Sequence, residues 1–365
     1  MLHIGFVLFS LSRQAGGLYD SARSLATHLN NLPDISVTVY GGEDENTLED
    51  LPGWGECRVN SFNTFGPRVL RYMPGLELAL MKDNLDLVHQ HGLWTAASRS
   101  VLNWHRKTGR PTVISPHGML DTWALNHSSW KKHLAAAAWE SSNLKSANLL
   151  HALCESEASA IRSYGLSQRT VTIPNGVKLP DESAPTKGKK KTLLYLGRLH
   201  EKKGLEPLIR AWNCLSSTNW QLRIVGSGDA SYEARLKDLA SDGPNPIEFP
   251  GPLYGSDRDE AYRSADAFIL PSFSEGFPMV VLEAMSFQLP IIMTEFCNFP
   301  SAFENGAALK TGTNVNDIEA ALETFFSLGN DKHNQMGTAG FKLVSEQYQW
   351  PIITQQFAKS YRLLT

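Results

Sequence analysis

Cysteine is scarce in this chain. Of 365 residues only four are Cys (Cys57, Cys154, Cys214 and Cys297), far apart and with no Cys-x-x-Cys. That excludes a disulfide framework and a zinc ribbon, and it fits a reducing cytosol. Long apolar runs are also missing: nowhere does a stretch of about eighteen apolar residues occur. Residues 1–12 are apolar, but they have no basic leader and are too short to span a bilayer. A cytoplasmic location is expected, with any membrane contact peripheral. Net charge is small, −3, which argues against nucleic acid as a general partner. The balance is uneven, however: residues 1–180 hold 16 Lys+Arg against 15 Asp+Glu, and nine of the eleven His lie there. The acidic excess therefore belongs to the second half. The dinucleotide fingerprint Gly-x-Gly-x-x-Gly does not follow the first strand, and no long repeat or low-complexity tract interrupts the chain.

What is present is strand–helix alternation, twice over. At 365 residues two α/β domains are the natural expectation. Residues 2–9 read as a buried strand, 10–17 as a loop, and 18–32 as a helix with Leu18, Ala22, Leu25, Ala26 and Leu29 on one face. Strands follow at 36–40, 86–92, 111–115 and 148–153. Helices are predicted at 67–82, 130–140 and 155–164. Residues 179–191, rich in Pro, Lys, Gly, Ser and Asp, read as a linker between a domain of 1–178 and a second of 192–346. Residues 347–365 read as a last amphipathic helix.

The densest chemistry lies at 272–286. Glu275 and Glu283 stand eight apart, joined by Gly276-Phe277-Pro278. An apolar strand precedes them at 267–271 and a helix follows from Met279, with Pro278 near its first position. The spacing puts Glu275 in a strand-to-helix turn and Glu283 about two turns along the helix. Gly276 lets a ligand approach the backbone, and the N–H groups of Met279, Val280 and Val281 suit a phosphate. Upstream, 192–205 reads as a strand, a loop with Arg198 and Lys203, then a helix. Arg offers a fork of donors and Lys a point charge. Gly16-Gly17 follows the first strand, where backbone N–H groups can reach an anion. Gly226 opens a glycine turn after the strand at 221–225, and Leu253 ends the strand and loop at 247–253. His89 and His91 form a polar strand tip, a metal half-site with no third ligand at motif spacing. His117-Gly118 turns beyond the carboxyl end of its strand, where open α/β sheets bind ligands. Lys131 and Lys132 beside Trp130 suit either an anionic membrane surface or a solvated helix face. Taken singly, each motif admits a plainer reading: a tight turn, a surface histidine, a basic loop, two exposed acids.

In this order the motifs resemble those of retaining glycosyltransferases of family 4 with the GT-B fold. The matching stretches are Glu-x7-Glu at 275–283, Gly-Arg-x4-Lys-Gly at 197–204, the His-Gly turn at 117–118, Ile-Pro-Asn-Gly-Val at 173–177, and the early glycine pair. The resemblance implies an α/β chain of two Rossmann-like, doubly wound domains facing across a cleft. It further implies an acceptor side in the first domain, a nucleotide sugar on the second, and a C-terminal helix that crosses back. By the same resemblance Glu275 holds hydroxyls of the donor sugar and Glu283 the ribose. Arg198 and Lys203 hold the diphosphate, and the His117 carbonyl lies near the anomeric carbon. Gly16, Gly17, Gly226, Leu253, Gly276, Phe277, Met279 and Val280 complete the donor site, and His89 and His91 fall on the acceptor side. The implied reaction moves a sugar from a UDP- or GDP-linked donor to a glycan or lipid-linked glycan of bacterial surface polysaccharide, with retention on one face. No Asp-x-Asp metal motif is expected beside the donor, hence no metal and no other cofactor. Two other readings share the architecture: a non-hydrolysing sugar-nucleotide epimerase and a catalytically silent nucleotide-sugar-binding subunit.

Overall fold

The alternating apolar runs become the strands of two parallel sheets. The computed structural model describes residues 1–67, 70–121, 125, 135–181, 190–216 and 218–365. Trp130, Lys131, Lys132 and most of the expected linker lie outside them. The chain divides into two units: Met1–Gly176 together with Trp350–Thr365, and Val177–Gln349.

The first unit holds β1 (Leu2–Leu8), β2 (Ile35–Gly42), β3 (Arg58–Phe62), β4 (Leu87–His91), β5 (Thr112–Ser115), β6 (Leu149–Ala152) and β7 (Thr170–Thr172). Their order is β3-β2-β1-β4-β5-β6-β7, with every pairing parallel. β4, β5 and β6 are buried along their whole length, as strands covered by helices on both faces must be. The second unit holds β8 (Lys191–Leu196), β9 (Trp220–Val225), β10 (Ile247–Gly251), β11 (Ala267–Leu270), β12 (Ile291–Thr294) and β13 (Ala308–Thr311), ordered β10-β9-β8-β11-β12-β13 and again all parallel. In each sheet the order reverses beside the first strand. The carboxyl ends of the two strands there are where open α/β sheets bind ligands. In the second unit those strands are β8 and β11, the ones that lead into Arg198–Lys203 and Glu275.

The last helix, Trp350–Arg362, buries Trp350, Ile353, Phe357, Ala358 and Tyr361 in the core of the first unit. Each large apolar side chain buried this way contributes about 1.5–3 kcal/mol. The exposed Arg362–Asp34 pair at 2.8 Å adds little by comparison. A separate helix, Asn330–Gln347, ends just before it.

Two expectations change. Of the helix expected over 67–82, residues 68 and 69 lie outside the described residues, and among the described ones it is present at Leu76–Lys82. Ahead of it Phe65 and Tyr72 form an antiparallel bridge, and positive φ at Arg71 (44°) and Gly75 (89°) flanking Pro74 stops any longer helix. The edge strands β3 and β13 were not foreseen, because their half-exposed residues lack a continuous apolar run. Among the described residues no helix is long and apolar enough to cross a membrane.

Candidate active site

In the second unit a close backbone approach brings the two key loops together. Gly204 has φ of 69°, and a Cβ there would stand 2.1 Å from the Pro271 carbonyl oxygen. Only glycine allows the loop after β8 to lie against the loop after β11. The Phe273 N–H also donates to the Lys202 carbonyl, at 2.9 Å. Lys203 is thereby carried to Glu275, and its Nζ meets Glu275 Oε1 at 2.6 Å. Ser272 Oγ donates to the same oxygen at 2.5 Å. Glu275 is only 8% exposed. Its backbone is fixed as well: its N–H donates to Phe296, and its carbonyl accepts from Asn298 Nδ2. One carboxylate oxygen thus anchors the side chain. The other, Oε2, takes no hydrogen bond from the described residues. Arg198 is exposed, and its carbonyl is held by the buried Tyr195 hydroxyl at 2.9 Å. Among the described residues no carboxylate pairs with its guanidinium.

Glu283 is the fifth residue of the Met279–Ser286 helix, one turn in rather than two. It accepts from Tyr262 Oη at 2.7 Å and pairs with Arg258, both from the Gly255–Ser264 helix. An Asp-x-Asp does occur nearby, contrary to expectation: Asp257 and Asp259 flank Arg258 on that helix. Residues two apart on a helix do not share a face, so the pair does not converge on one point. Among the described residues no group of three or more His, Cys, Asp or Glu is placed to hold a metal.

The first helical turn offers fewer donors than expected. The Met279 N–H donates to Phe277 and the Val281 N–H to Pro278, so Val280 remains of the three. Phe277 stacks on Tyr348 and meets Phe299 edge-on, so its ring packs within the unit. Gly226 is required by packing, since a Cβ there would lie 1.9 Å from the Gly197 carbonyl. Gly276, Gly16 and Gly17 have open space where a Cβ would stand, and Leu253 is half-buried against the core.

In the first unit the two strand histidines turn inward. His89 is 0% exposed and His91 3%, so the reading of a polar tip is corrected to a buried network. The hydrogen bonds fix its polarity. His151 Nε2 meets the Ile173 carbonyl at 2.7 Å and must donate to it. A neutral His151 then accepts at Nδ1 from Ser115 Oγ, at 2.7 Å. Ser115 in turn accepts from His89 Nε2 at 2.6 Å, and His89 Nδ1 accepts from Tyr361 Oη at 2.7 Å. Both nitrogens of His89 are engaged inside the protein, which removes it from the acceptor side. His91 Nδ1 touches His117 Nε2 at 3.1 Å, so His91 supports His117 from behind.

Protonating this chain would set donor against donor in a dry interior. Burial holds His89, His91 and His117 below the usual histidine range and His151 down to about 4. A group depressed on folding loses stability as pH falls. For His151 the loss runs from pH about 6.5 down to about 4, at about 1.4 kcal/mol per pH unit. Buried Glu157, raised to about 7, acts the opposite way between about 4.5 and 7. His151→Gln is therefore expected to flatten the acid side of the unfolding free energy by that slope. Urea melts at a series of pH values check it, and an unchanged slope rejects the neutral chain.

Two buried carboxylates that sequence reasoning missed brace the neighbouring loops. Glu140 accepts from the Trp94 N–H at 2.6 Å and from Ser98 Oγ at 2.8 Å. Glu157 accepts from the Gly118 N–H at 2.6 Å and the Leu153 N–H at 2.8 Å. Burial raises the pKa of both. The available signal was an acid in the first turn of the helix at 155–164, read only as a helix start.

The two parallel sheets, with their strand orders, are those of the GT-B fold. Residues 16–176 match the family model of the glycosyl transferase 4-like domain, and residues 180–343 that of glycosyl transferases group 1. The chain belongs to this glycosyltransferase family. An uncharacterized glycosyltransferase of Haemophilus influenzae is 34% identical over 144 residues, 38% of this chain and 40% of that protein. O-antigen chain mannosyltransferase B of Escherichia coli is 27% identical over 175 residues, 47% of this chain and 45% of that one. The chain thus spans less than half the length of these curated relatives. The Anabaena HepE structure in complex with UDP and glucose has a TM-score of 0.80 at 17% identity, covering 100% of both chains, a likeness of fold.

Proposed function

We propose that the chain transfers a sugar from a UDP- or GDP-linked donor to a glycan or lipid-linked glycan acceptor, in the assembly of a bacterial surface polysaccharide. Transfer retains the anomeric configuration. The diphosphate leaves against Arg198 and Lys203, takes the acceptor proton, and the acceptor enters on the same face. The observation that carries this reading is the anchored Glu275, with one oxygen fixed by Lys203 and Ser272 and the other taking no hydrogen bond from the described residues. Glu283 is assigned to the ribose, and His117 to the reacting sugar. The E. coli relative's work on O-antigen supports the substrate class, and the complex of HepE supports a uridine nucleotide. The work is placed in the cytoplasm, with peripheral contact to the inner face of the membrane.

A thermal-shift screen of UDP, GDP, ADP, UDP-glucose, GDP-mannose and ADP-glucose tests the donor. A ligand at a hundred times its dissociation constant adds about 2.7 kcal/mol. Proton NMR of the product then reads the anomeric configuration, and inversion would contradict the same-face mechanism. A sugar nucleotide epimerised without any acceptor would overturn transfer itself.

Charge neutralisation is assigned to fixed cations, so turnover is expected to be unchanged by EDTA. Loss of activity in chelator, restored by magnesium or manganese, would refute that assignment.

A further inference from the structure

We propose that Glu157 is a positioning residue for the reaction at His117, its carboxylate setting the turn that presents that histidine. The inference rests on the role given to His117 above.

The turn is strained and needs an external hold. His117 has φ of 53° and Gly118 of 73°, two consecutive left-handed residues. A non-glycine residue is disfavoured there and persists only when its surroundings over-determine it. Glu157 supplies the determination. Oε1 takes the Gly118 N–H at 2.6 Å, and Oε2 takes the Leu153 N–H at 2.8 Å. One carboxylate therefore ties the loop leaving β5 to the loop leaving β6. Both N–H groups sit where a helix cannot use them, and Glu157 lies in the first turn of Glu155–Ser163, at the end that favours an anion.

The hold is a costly one. Glu157 is 2% exposed, and no Lys or Arg among the described residues bonds to it. A serine or asparagine could cap a turn without burying a charge. A carboxylate does what they cannot: it offers two equivalent strong acceptors, so that two backbone segments keep a fixed spacing. Protonation converts one of those oxygens to a hydroxyl and releases one N–H. Burial raises this carboxyl to about 7, aided by the charge of Asp121 from the same turn. His117 and His151, nearby, stay neutral in that range. The turn is thus fully braced only above neutrality, and loosens as Glu157 takes its proton.

The test uses the full chain, with UDP-glucose, GDP-mannose and ADP-glucose as donors. Wild type, Glu157→Gln and Asp121→Asn are compared over a pH range of about 5.5 to 8.5. In wild type kcat should fall below pH about 7. Glu157→Gln keeps the shape but turns an amide donor on one backbone N–H. It should lower kcat by about tenfold to a hundredfold and abolish that acid limb. Donor KM and the affinity for free UDP or GDP should stay within about twofold. Deuterium exchange at residues 115–120 should rise. Asp121→Asn, which removes the like charge, should move the wild-type limb to lower pH. Wild-type kcat in Glu157→Gln, or an acid limb that persists in it, overturns the inference. Should that variant fail to fold, an unmoved limb in Asp121→Asn overturns it instead. If wild type turns over no sugar nucleotide, the proposed function is what fails. Unchanged exchange at 115–120 in Glu157→Gln then dismisses the positioning role independently.

Discussion

Arg198→Ala and Lys203→Ala are each expected to lower turnover by about a hundredfold to a thousandfold, some 2.7–4 kcal/mol of transition-state stabilisation. The reason is electrostatic. Charge grows on the diphosphate as the sugar–phosphate bond breaks, and a fixed cation gains most where that growth occurs. The two residues should nevertheless fail differently. Arg198 is exposed, with no carboxylate paired to its guanidinium among the described residues, so its removal should fall almost wholly on kcat. Lys203 also holds Glu275 Oε1 at 2.6 Å, so its removal frees the carboxylate assigned to the sugar. Loss at Lys203 should therefore overlap with loss at Glu275. Lys203→Ala combined with Glu275→Ala should cost less than the sum of the singles, as contacting residues do. Steady-state rates for the four proteins measure the overlap. Full activity in both cation variants would end the diphosphate assignment.

The two glutamates should separate cleanly when free nucleotide and sugar nucleotide are compared. Every nucleotide has a ribose, so Glu283 should matter for free UDP or GDP. Only the donor has a transferable sugar, so Glu275 should not. Glu283→Gln is the informative variant, because Ala would strand the buried Tyr262 hydroxyl that now donates to Glu283 at 2.7 Å. An unsatisfied buried hydroxyl costs about 1–3 kcal/mol of stability and would cloud the result. The amide keeps an acceptor for Tyr262 but gives up the charged hydrogen bond to the ribose. It should weaken the free nucleoside diphosphate by about tenfold, near 1.4 kcal/mol. Glu275→Ala should leave that affinity nearly unchanged while cutting turnover by a comparable or larger factor. Calorimetry and kinetics together decide it. Equal loss of nucleotide affinity in the two variants sinks the division of labour.

How much of this was legible in the sequence depends on range. The strand–loop–helix units around 192–205 and 267–287 were readable because their signals are local: glycines and charges directly after an apolar strand. Partnerships were not. Lys203 and Glu275 are 72 positions apart, and nothing in either stretch announces that the second anchors on the first. Glu283 could be assigned a ligand but not its companions Arg258 and Tyr262, which lie on a helix of unremarkable composition. His89 and His91 were misread because polarity at a strand end suggests solvent, whereas Ser115 and Tyr361 satisfy His89 indoors. Glu140 and Glu157 escaped for a similar reason, since a buried acid and a surface acid are the same letter. At 67–82 the apolar spacing of Leu76 and Leu80 was genuine, but it was extended backwards across Pro74.

The hydroxyl of Tyr361 lies 272 positions beyond its partner His89, yet both belong to the same unit. During synthesis, of these two units the one that leaves the ribosome first is thus completed second. Its core waits, with the seats of Trp350, Ile353 and Phe357 uncovered, while the whole second domain is made and folds. The order of emergence and the order of completion run in opposite directions. For that interval the half-built domain presents an apolar surface shaped for one helix, to which a chaperone or a neighbouring chain has access first.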